Sequence, residues 1–245
     1  MPGSGPFGET ESRILPDLQR TVQDFATAET PSGGVTLVGG GPVPTLALKA
    51  ALNRAPRVVA ADGGADACLA ADLLPELVVG DLDSIGEAAR HAYTDRIVHV
   101  SEQDSTDFAK ALHRIEAPFV LAVGFLGARF DHALAAISHL GMRTGPPVLL
   151  LSDDDALAMC PTRLRLDLPT GTRVSLWPLA EVRLTSTGLR WPLDGLVLRP
   201  DGRVGTSNRA TGPVTLTCDG PCLVILPLDA LDPLMAGLGI AGTDR

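Results

Sequence analysis

Short apolar runs alternate with helical segments between Val35 and Leu151, and this alternation constrains the fold more than any other feature of the sequence. The runs are apolar throughout, which is typical of strands buried on both faces of a parallel sheet. They predict strands at residues 35–38, 57–60, 77–79, 97–100, 119–123 and 148–151. The segments between them, rich in Ala and Leu, predict helices at 45–54, 65–74, 87–93, 107–116 and 131–143. A strand–helix alternation of this kind predicts a doubly wound, mostly parallel α/β domain.

The pattern changes after the acidic run at 153–155, which we interpret as a solvated turn. Leu164, Leu166 and Leu168 alternate with charged residues, which is the period of a half-buried strand. Further short strand candidates follow at 174–176, 182–184, 196–198, 214–216 and 223–226, separated by Gly, Pro, Asp and Asn turns. Evenly spaced short strands predict an antiparallel sandwich or barrel. We therefore expect an α/β domain at 33–155 and a β domain at 156–245, preceded by an extension at 1–32.

Composition and charge exclude several classes of protein. The formal net charge is −9, whereas a general nucleic-acid binder needs clustered Lys and Arg. The four cysteines form no CxxC pair, so buried free thiols in a reducing cytoplasm are expected rather than a zinc or redox site. No apolar run reaches the ~18 residues of a membrane helix, and the N-terminus lacks a secretory pattern. The sequence thus predicts a soluble cytoplasmic protein with no nucleic-acid or membrane partner.

Acidic residues follow four successive predicted strands, at the edge where open α/β sheets bind ligands. They are Asp62 after the second strand, Asp81 and Asp83 after the third, Asp104 and Asp107 after the fourth, and Asp131 after the fifth. Carboxylates gathered at one edge repel one another unless a cation lies among them. In an extended chain, Asp81 and Asp83 point to the same side. Oxygen ligands without His or Cys suit Mg²⁺, so the pattern predicts a magnesium–phosphate site.

Each of these residues also has a purely structural interpretation. Asp104 or Thr106 would cap the helix that follows, and Asp131 would cap the next one. The glycines that follow the first two strands fit either tight turns or close approach to phosphate. Lys110 either neutralises phosphate charge or lies on a solvated helix face, whereas Arg129 suits a bidentate phosphate contact. The aromatic ring at 191 fits either the core or a stacking contact with a cationic ring.

Taken together, the motifs resemble those of the thiamine pyrophosphokinase family over nearly the whole chain after residue 34. The motifs are Ala-Asp-Gly-Gly-Ala at 61–65, Gly-Asp-Leu-Asp-Ser-Ile at 80–85, Gln-Asp-Ser-Thr-Asp-Phe at 103–108, Gly-Ala-Arg-Phe-Asp-His at 127–132, Thr-Gly-Leu-Arg-Trp-Pro-Leu at 187–193 and Ser-Asn at 207–208. Their order and spacing match as well. The sequence departs from the family pattern at Ala128, where a second Gly is usual, and at Pro75-Glu76, where Pro-Asp is commoner. The extension at 1–32 lies outside the resemblance.

The resemblance implies an α/β nucleotide-binding domain followed by an antiparallel β-sandwich, in a homodimer with active sites at the subunit interface. It implies transfer of a diphosphate group from Mg·ATP to the hydroxyl of thiamine, giving thiamine diphosphate and AMP. The implied catalytic residues are Asp81, Asp83, Asp107 and Asp131, of which the first three hold Mg²⁺. The residues implied for ATP or phosphate binding are Asp62, Gly63, Gly64, Lys110 and Arg129. The residues implied for substrate binding are Gln103, Asp104, Trp191, Ser207 and Asn208, the last two from the β domain of the partner subunit.

The implied mechanism is in-line attack of the thiamine hydroxyl on the β-phosphorus, to which the protein contributes mainly positioning and charge stabilisation. Asp107 or Asp131 would accept the hydroxyl proton. Two alternatives stay open. One is a metal-dependent nucleotide pyrophosphatase in which water is the nucleophile. The other is a thiamine or nucleotide sensor without catalysis, against which the acidic set weighs because binding alone does not need so many carboxylates.

Overall fold

The computed structural model describes residues 33–102, 104–127 and 129–240. Three features named above therefore lie outside the described residues: the extension at 1–32, Gln103 and Ala128. Within the described ranges the backbone forms thirteen strands and six α-helices, which belong to one compact unit.

The first half of the described chain forms a parallel sheet. Its strands are β1 (Val35–Val38), β2 (Arg57–Ala61), β3 (Leu77–Gly80), β4 (Ile97–His99), β5 (Val120–Val123) and β6 (Val148–Leu151). Its helices are α1 (Thr45–Leu52), α2 (Gly64–Ala70), α3 (Glu87–Ala92), α4 (Asp107–Leu112) and α5 (Phe130–Met142). The strands lie in the order β4-β3-β2-β1-β5-β6. The chain thus runs outward from β1 to β4 and then returns to the other side of β1, so the carboxyl ends of β1 and β5 flank the crevice where such sheets bind ligands.

Both faces of the parallel sheet are buried. Val35 and Leu37 belong to one hydrophobic cluster and Val38 to the other, because successive side chains of a strand point to opposite faces. Thr36, which lies between Val35 and Leu37 in the strand, is fully buried. Its hydroxyl donates a hydrogen bond to the carbonyl oxygen of Ala55 at 2.6 Å. The prediction of a doubly wound α/β region is confirmed.

The second half of the described chain is antiparallel. Its strands are β7 (Asp155–Met159), β8 (Arg163–Leu166), β9 (Arg173–Pro178), β10 (Val182–Leu189), β11 (Val197–Leu198), β12 (Gly205–Cys218) and β13 (Cys222–Pro227). Helix α6 (Leu231–Gly237) follows. The long strand β12 pairs with β9 near its start and with β8 and β10 along its second half. The predicted class, an α/β region followed by antiparallel strands of a sandwich, is confirmed.

Strand β7 corrects the interpretation of the acidic run. It begins at Asp155, pairs antiparallel with β6 and continues the hydrogen bonding of the parallel sheet into β13. Asp153 is exposed as predicted, but its Oδ1 accepts a hydrogen bond from the amide of Ala47 in the first turn of α1 at 2.9 Å. Asp155 forms an ion pair with Arg173. The predicted domain boundary at 155/156 falls inside this strand, and the division into domains stays a prediction.

Two further observations concern the cysteines and the membrane. Cys68, Cys160, Cys218 and Cys222 are free and buried, as expected for structural thiols. Burial raises the pKa of the Cys68 thiol to about 12. Among the described helices, none has the length and apolar character that crossing a bilayer requires.

Candidate active site

The loops that follow β1, β2, β3 and β5 surround one cavity of about 660 Å³, together with the first turns of α4. The predicted site residues that line this cavity are Asp62, Gly63, Asp81, Asp83, Asp107, Lys110 and Arg129. Residues more than 60 positions apart in sequence therefore meet at one edge of the sheet, as the position of the acidic residues after the strands predicts.

Asp62 lies at the bottom of the cavity in an unusual backbone conformation. Its φ angle is +43°, and a Cβ atom on Gly80 would lie 2.7 Å from the Cβ of Asp62, so the neighbouring strand must carry glycine here. Its Oδ2 accepts a hydrogen bond from the amide of Ser84 at 3.2 Å, whereas the buried Oδ1 has no partner among the described residues. Burial, and then the negative charge of Asp107, raise the pKa of Asp62. A buried carboxylate oxygen without a partner is costly, and a cation beside it would remove that cost.

The loop with Asp81 and Asp83 is a turn rather than extended chain. Leu82 has a φ angle of +67°, and Oδ1 of Asp81 accepts a hydrogen bond from the amide of Asp83 at 3.3 Å. The argument from an extended chain is therefore wrong, although both residues do line the cavity. Asp83 is exposed at the rim, where its Oδ1 accepts a hydrogen bond from the hydroxyl of Ser84 at 2.8 Å. Its role as a metal ligand stays a prediction.

Asp107 begins α4, and Thr106 caps that helix by accepting a hydrogen bond from the amide of Ala109 at 3.3 Å. Lys110, one turn further, is buried, so the interpretation as a solvated helix face is wrong. Its Nζ lies 3.3 Å from Oδ2 of Asp81 and 3.3 Å from Oδ1 of Asp107. Burial alone would lower the pKa of Lys110, but hydrogen bonds and attraction from these two carboxylates outweigh it, and the pKa is raised.

Three carboxylates form the densest acidic group among the described residues. One oxygen each from Asp62, Asp81 and Asp107 lies within 4.8 Å of the other two. Oxygen donors alone, with one of them buried and unpartnered, suit a hard divalent cation such as Mg²⁺. The residues therefore fit the implied metal, although the trio includes Asp62, which the sequence assigns to phosphate, in place of Asp83.

The raised pKa of Asp62 makes a prediction about the metal-free protein. The folded state holds this proton more tightly than the unfolded state, so ionisation of Asp62 destabilises the fold as the pH rises above about 4. We expect Asp62→Asn to have a higher melting temperature than wild type at pH 7 in EDTA, and this difference to shrink toward pH 4. Asp95→Asn, in an exposed turn, serves as the control. A melting difference that does not depend on pH would contradict the prediction.

Gly63 and Gly64 lie where α2 meets the ends of the strands. A Cβ atom on Gly64 would lie 2.1 Å from the carbonyl oxygen of Val38, so the helix packs directly against the end of β1. Gly63 lines the cavity, and a Cβ atom on it would lie 3.3 Å from the carbonyl oxygen of Ser84. Tight packing thus explains Gly64 without a ligand, and phosphate binding by the pair stays a prediction.

Arg129 and Asp131 pair with each other at the start of α5. Nη2 of Arg129 lies 2.6 Å from Oδ2 of Asp131, and Nε donates to Oδ1 at 3.2 Å. Both side chains are exposed, and the hydrogen bond from Arg129 lowers the pKa of Asp131. Oδ1 of Asp131 also accepts from the amide of His132 at 3.0 Å, which is a structural role at a helix start. Arg129 lines the cavity, so a phosphate could compete with Asp131 for its guanidinium.

Six of the described predicted site residues do not line this cavity: Gly64, Asp104, Asp131, Trp191, Ser207 and Asn208. Asp104 is exposed, and its amide donates a hydrogen bond to Oε2 of Glu102 at 2.8 Å. Trp191 is 51 % exposed, and the guanidinium carbon of Arg190 lies 4.9 Å from the centre of its ring. Core packing is therefore the wrong interpretation of Trp191.

Asn208 holds the backbone of Trp191 in place. Its Nδ2 donates to the carbonyl oxygen of Trp191 at 2.7 Å, and its Oδ1 accepts from the amide of Trp191 at 3.2 Å. Asn208 is 5 % exposed, so its side chain is engaged inside the protein. Ser207, beside it, is exposed and has a φ angle of +62° at an irregularity of β12.

The sequence did not single out three residues that line the cavity. Phe125 lies two residues after the end of β5 and packs against Phe108 with ring centres 4.7 Å apart. The position after a strand, which identified the acidic residues, could have identified Phe125 as well. Ser84 lies inside the Gly-Asp-Leu-Asp-Ser-Ile motif and contributes through its amide. Oδ2 of Asp66 accepts a hydrogen bond from the amide of Gly86 at 2.8 Å, a contact that no sequence pattern indicates.

Comparisons with known proteins agree with this geometry. The model of the thiamin pyrophosphokinase catalytic domain matches residues 48–149, and that of the thiamin pyrophosphokinase vitamin B1 binding domain matches residues 162–223. Thiamine pyrophosphokinase 2 of Oryza sativa subsp. japonica is 30 % identical over 155 residues, which are 55 % of this chain and 58 % of that protein. Thiamin pyrophosphokinase 1 of Caenorhabditis elegans is 27 % identical over 65 % of this chain and 73 % of that protein. The chain thus spans less than two thirds of the rice relative it matches.

Solved structures share the fold. Thiamin pyrophosphokinase from Candida albicans superposes with a TM-score of 0.72 at 18 % identity, over 80 % of this chain and 89 % of that one. Thiamine pyrophosphokinase from Bacillus subtilis superposes with a TM-score of 0.66 at 23 % identity, over 79 % of this chain and 98 % of that one. Because the two family models match the parallel half and the antiparallel half in turn, the chain belongs to the thiamin pyrophosphokinase family.

Proposed function

We propose that the protein transfers a diphosphate group from Mg·ATP to the hydroxyl of thiamine, giving thiamine diphosphate and AMP. The observation that carries this proposal is the trio of Asp62, Asp81 and Asp107 at the carboxyl ends of the parallel strands, of which Asp62 has a buried oxygen without a partner among the described residues. The cavity around the trio, about 660 Å³, has the size of a small-molecule site. Membership of the family supplies the substrates.

The trio would hold Mg²⁺, with Asp83 at the rim as a further predicted ligand. When bound, the ion would neutralise charge on the phosphate oxygens. The three carboxylates also repel one another, and that repulsion favours any arrangement that brings a cation between them. The residues themselves therefore contribute orientation and charge balance rather than covalent chemistry.

In the proposed reaction, the thiamine hydroxyl oxygen forms a bond to the β-phosphorus. The bond between that phosphorus and the oxygen that bridges it to the α-phosphorus breaks, and AMP leaves with the electron pair. The hydroxyl proton passes to a carboxylate. Of the two candidates, Asp107 lines the cavity, whereas Asp131 does not and is exposed and paired with Arg129, so we favour Asp107. Arg129, at the edge of the cavity, would contact the triphosphate.

Thiamine binding is proposed to use the antiparallel half of a second copy of the chain. Trp191 and Ser207 are exposed and do not line the acidic cavity of their own chain, which supports a site completed by a partner subunit. An exposed tryptophan ring is a good partner for the cationic ring of thiamine. We propose a homodimer on this ground, and a cytoplasmic location on the ground of the four free cysteines.

This assignment predicts the effect of Trp191→Ala. We expect the KM for thiamine to rise about tenfold, because a desolvated cation–π contact contributes about 1–2 kcal/mol. The KM for ATP should stay the same, since the ring is outside the acidic cavity. Trp177→Ala, a tryptophan on β9 that is 37 % exposed, serves as the matched control. An unchanged KM for thiamine would remove Trp191 from the site.

The activity itself is tested by measuring AMP and thiamine diphosphate in the same samples, with and without thiamine, in the presence of ATP and Mg²⁺. We expect both products together, and only when thiamine is present. AMP without thiamine would instead support a nucleotide pyrophosphatase with water as the nucleophile. Thiamine binding with no AMP under any condition would support a sensor.

A further inference from the structure

Lysine is rare in this protein. The sequence contains 20 basic side chains, of which Lys49 and Lys110 are the lysines and all others are arginine. Lys49 is exposed on α1, whereas the side chain of Lys110 is only 2 % exposed. A lysine ammonium is a compact point charge, and an arginine guanidinium is a wide planar fork. The one buried basic position near the carboxylates therefore holds the residue that fits between two oxygens.

The contacts of Lys110 are with carboxylates. Its ammonium lies 3.3 Å from an oxygen of Asp81 and 3.3 Å from an oxygen of Asp107, and both residues belong to the acidic trio. Burying an ammonium is costly unless it is paired, and these two contacts supply the pairing. If Nζ moved to a phosphate, both ion pairs would weaken, and the carboxylates of Asp81 and Asp107 would repel each other more strongly.

The charges of the trio and of Lys110 give a simple balance. Three carboxylates carry −3, and the ammonium reduces this to −2, which one divalent cation neutralises. Without the ammonium, the same carboxylates would attract a divalent cation more strongly. When no divalent cation is bound, they would also repel one another more strongly.

We propose that Lys110 acts on the metal site through Asp81 and Asp107: its ammonium keeps these two carboxylates together in the metal-free protein and sets the charge of the trio for a single divalent cation. It replaces the role in ATP or phosphate binding that the sequence suggests for Lys110. The inference rests on the proposed magnesium site, so its test must distinguish failure of the site from failure of the role of Lys110.

The experiment measures Mn²⁺ binding without nucleotide, from the electron paramagnetic resonance signal of the free ion. Wild type, Lys110→Met and the exposed control Lys49→Met are compared. We expect one Mn²⁺ per chain in wild type and in the control, and an affinity at least about tenfold higher in Lys110→Met, because a neighbouring positive charge has been removed. Mn²⁺ should also raise the melting temperature of Lys110→Met by more than that of wild type.

Two results would overturn the proposal in different ways. If wild type binds Mn²⁺ and Lys110→Met binds it equally well or more weakly, the metal site stands and the proposed role of Lys110 is wrong. A loss of affinity for ATP in the same variant would then identify Lys110 as a phosphate ligand. If wild type binds no Mn²⁺, the metal site fails and the role of Lys110 fails with it.

A second variant covers the case in which Lys110→Met does not fold in EDTA. Lys110→Met/Asp107→Asn removes one negative charge together with the ammonium, so its trio again carries −2. We expect this double variant to fold without metal and to bind Mn²⁺ with an affinity closer to that of wild type. A double variant that binds Mn²⁺ as tightly as Lys110→Met would contradict the charge balance.

Discussion

We expect Asp81→Asn to lower the rate of thiamine diphosphate formation by about three orders of magnitude while the protein stays folded. Asp81 contributes an oxygen to the acidic trio and forms an ion pair with Lys110. Neutralising it weakens the hold on a divalent cation, whose stabilisation of the transition state is worth several kcal/mol, and about 1.4 kcal/mol corresponds to a factor of ten in rate. Initial rates at saturating ATP and thiamine, together with the melting temperature, measure the effect.

The matched control for this variant is Asp167→Asn. Asp167 is exposed in the loop after β8, outside the acidic cavity, so its neutralisation should leave the rate within about twofold of wild type. A folded Asp81→Asn protein with near-normal activity would remove Asp81 from the metal site and would leave the proposed chemistry without its main support.

We expect Gly64→Ala to lower the free energy of unfolding by about 3 kcal/mol, and with it the melting temperature by roughly 6–12 °C. The added Cβ would lie 2.1 Å from the carbonyl oxygen of Val38 and 2.7 Å from its carbonyl carbon. Both atoms belong to the backbone, so relief of the clash requires α2 to move away from the end of β1. Thermal and chemical denaturation in EDTA measure the loss of stability without any contribution from a ligand.

Gly40→Ala is the control, because Gly40 lies on the loop opposite the same helix start. A Cβ atom on Gly40 would meet its nearest neighbours, backbone atoms of Gly63, at 3.4 Å, which is an ordinary contact. We expect its stability to stay within about 1 kcal/mol of wild type. Equal stability of Gly64→Ala and wild type would show that α2 does not pack on β1 as closely as described.

The fold of the parallel half could be predicted because its strands carry a strong local signal. The strands at Val35–Val38 and Val148–Leu151 are apolar at every position and lie between helices rich in Ala and Leu, and their bounds match the prediction. Strand β7 gives no such signal, because Asp155–Met159 begins with an acidic residue and contains two alanines. Helix α6 is hidden for a similar reason, since Leu231–Gly237 has only seven residues and includes a proline.

The site could be predicted as far as strand ends determine it. Asp62 after β2, Asp81 after β3 and Asp107 at the start of α4 do meet in one cavity, because the carboxyl ends of parallel strands share one edge. The orientation of each side chain could not be predicted in the same way. Leu82, between Asp81 and Asp83, adopts a left-handed conformation rather than an extended one, and no residue type in the motif requires that conformation.

Burial of single side chains was the other property outside the reach of the sequence. Lys110 lies on a short helix whose residues from Phe108 to Leu112 are all buried, so no polar face indicates which side meets solvent. Trp191 shows the opposite case, since the sequence allows a core position for its ring although the ring is half exposed. In both cases the packing of distant segments determines whether the side chain is buried, and a local sequence pattern does not predict that packing.

The most direct test of the proposed function follows the γ-phosphate of ATP. ATP labelled at that phosphate is incubated with Mg²⁺, thiamine and the protein, and the label is quantified in every product beside the amount of AMP. We predict that the label appears in thiamine diphosphate in equal amount to AMP, and that Asp81→Asn forms both products about a thousandfold more slowly. Label in free pyrophosphate, with AMP formed at the same rate whether or not thiamine is present, would contradict the assignment to diphosphate transfer.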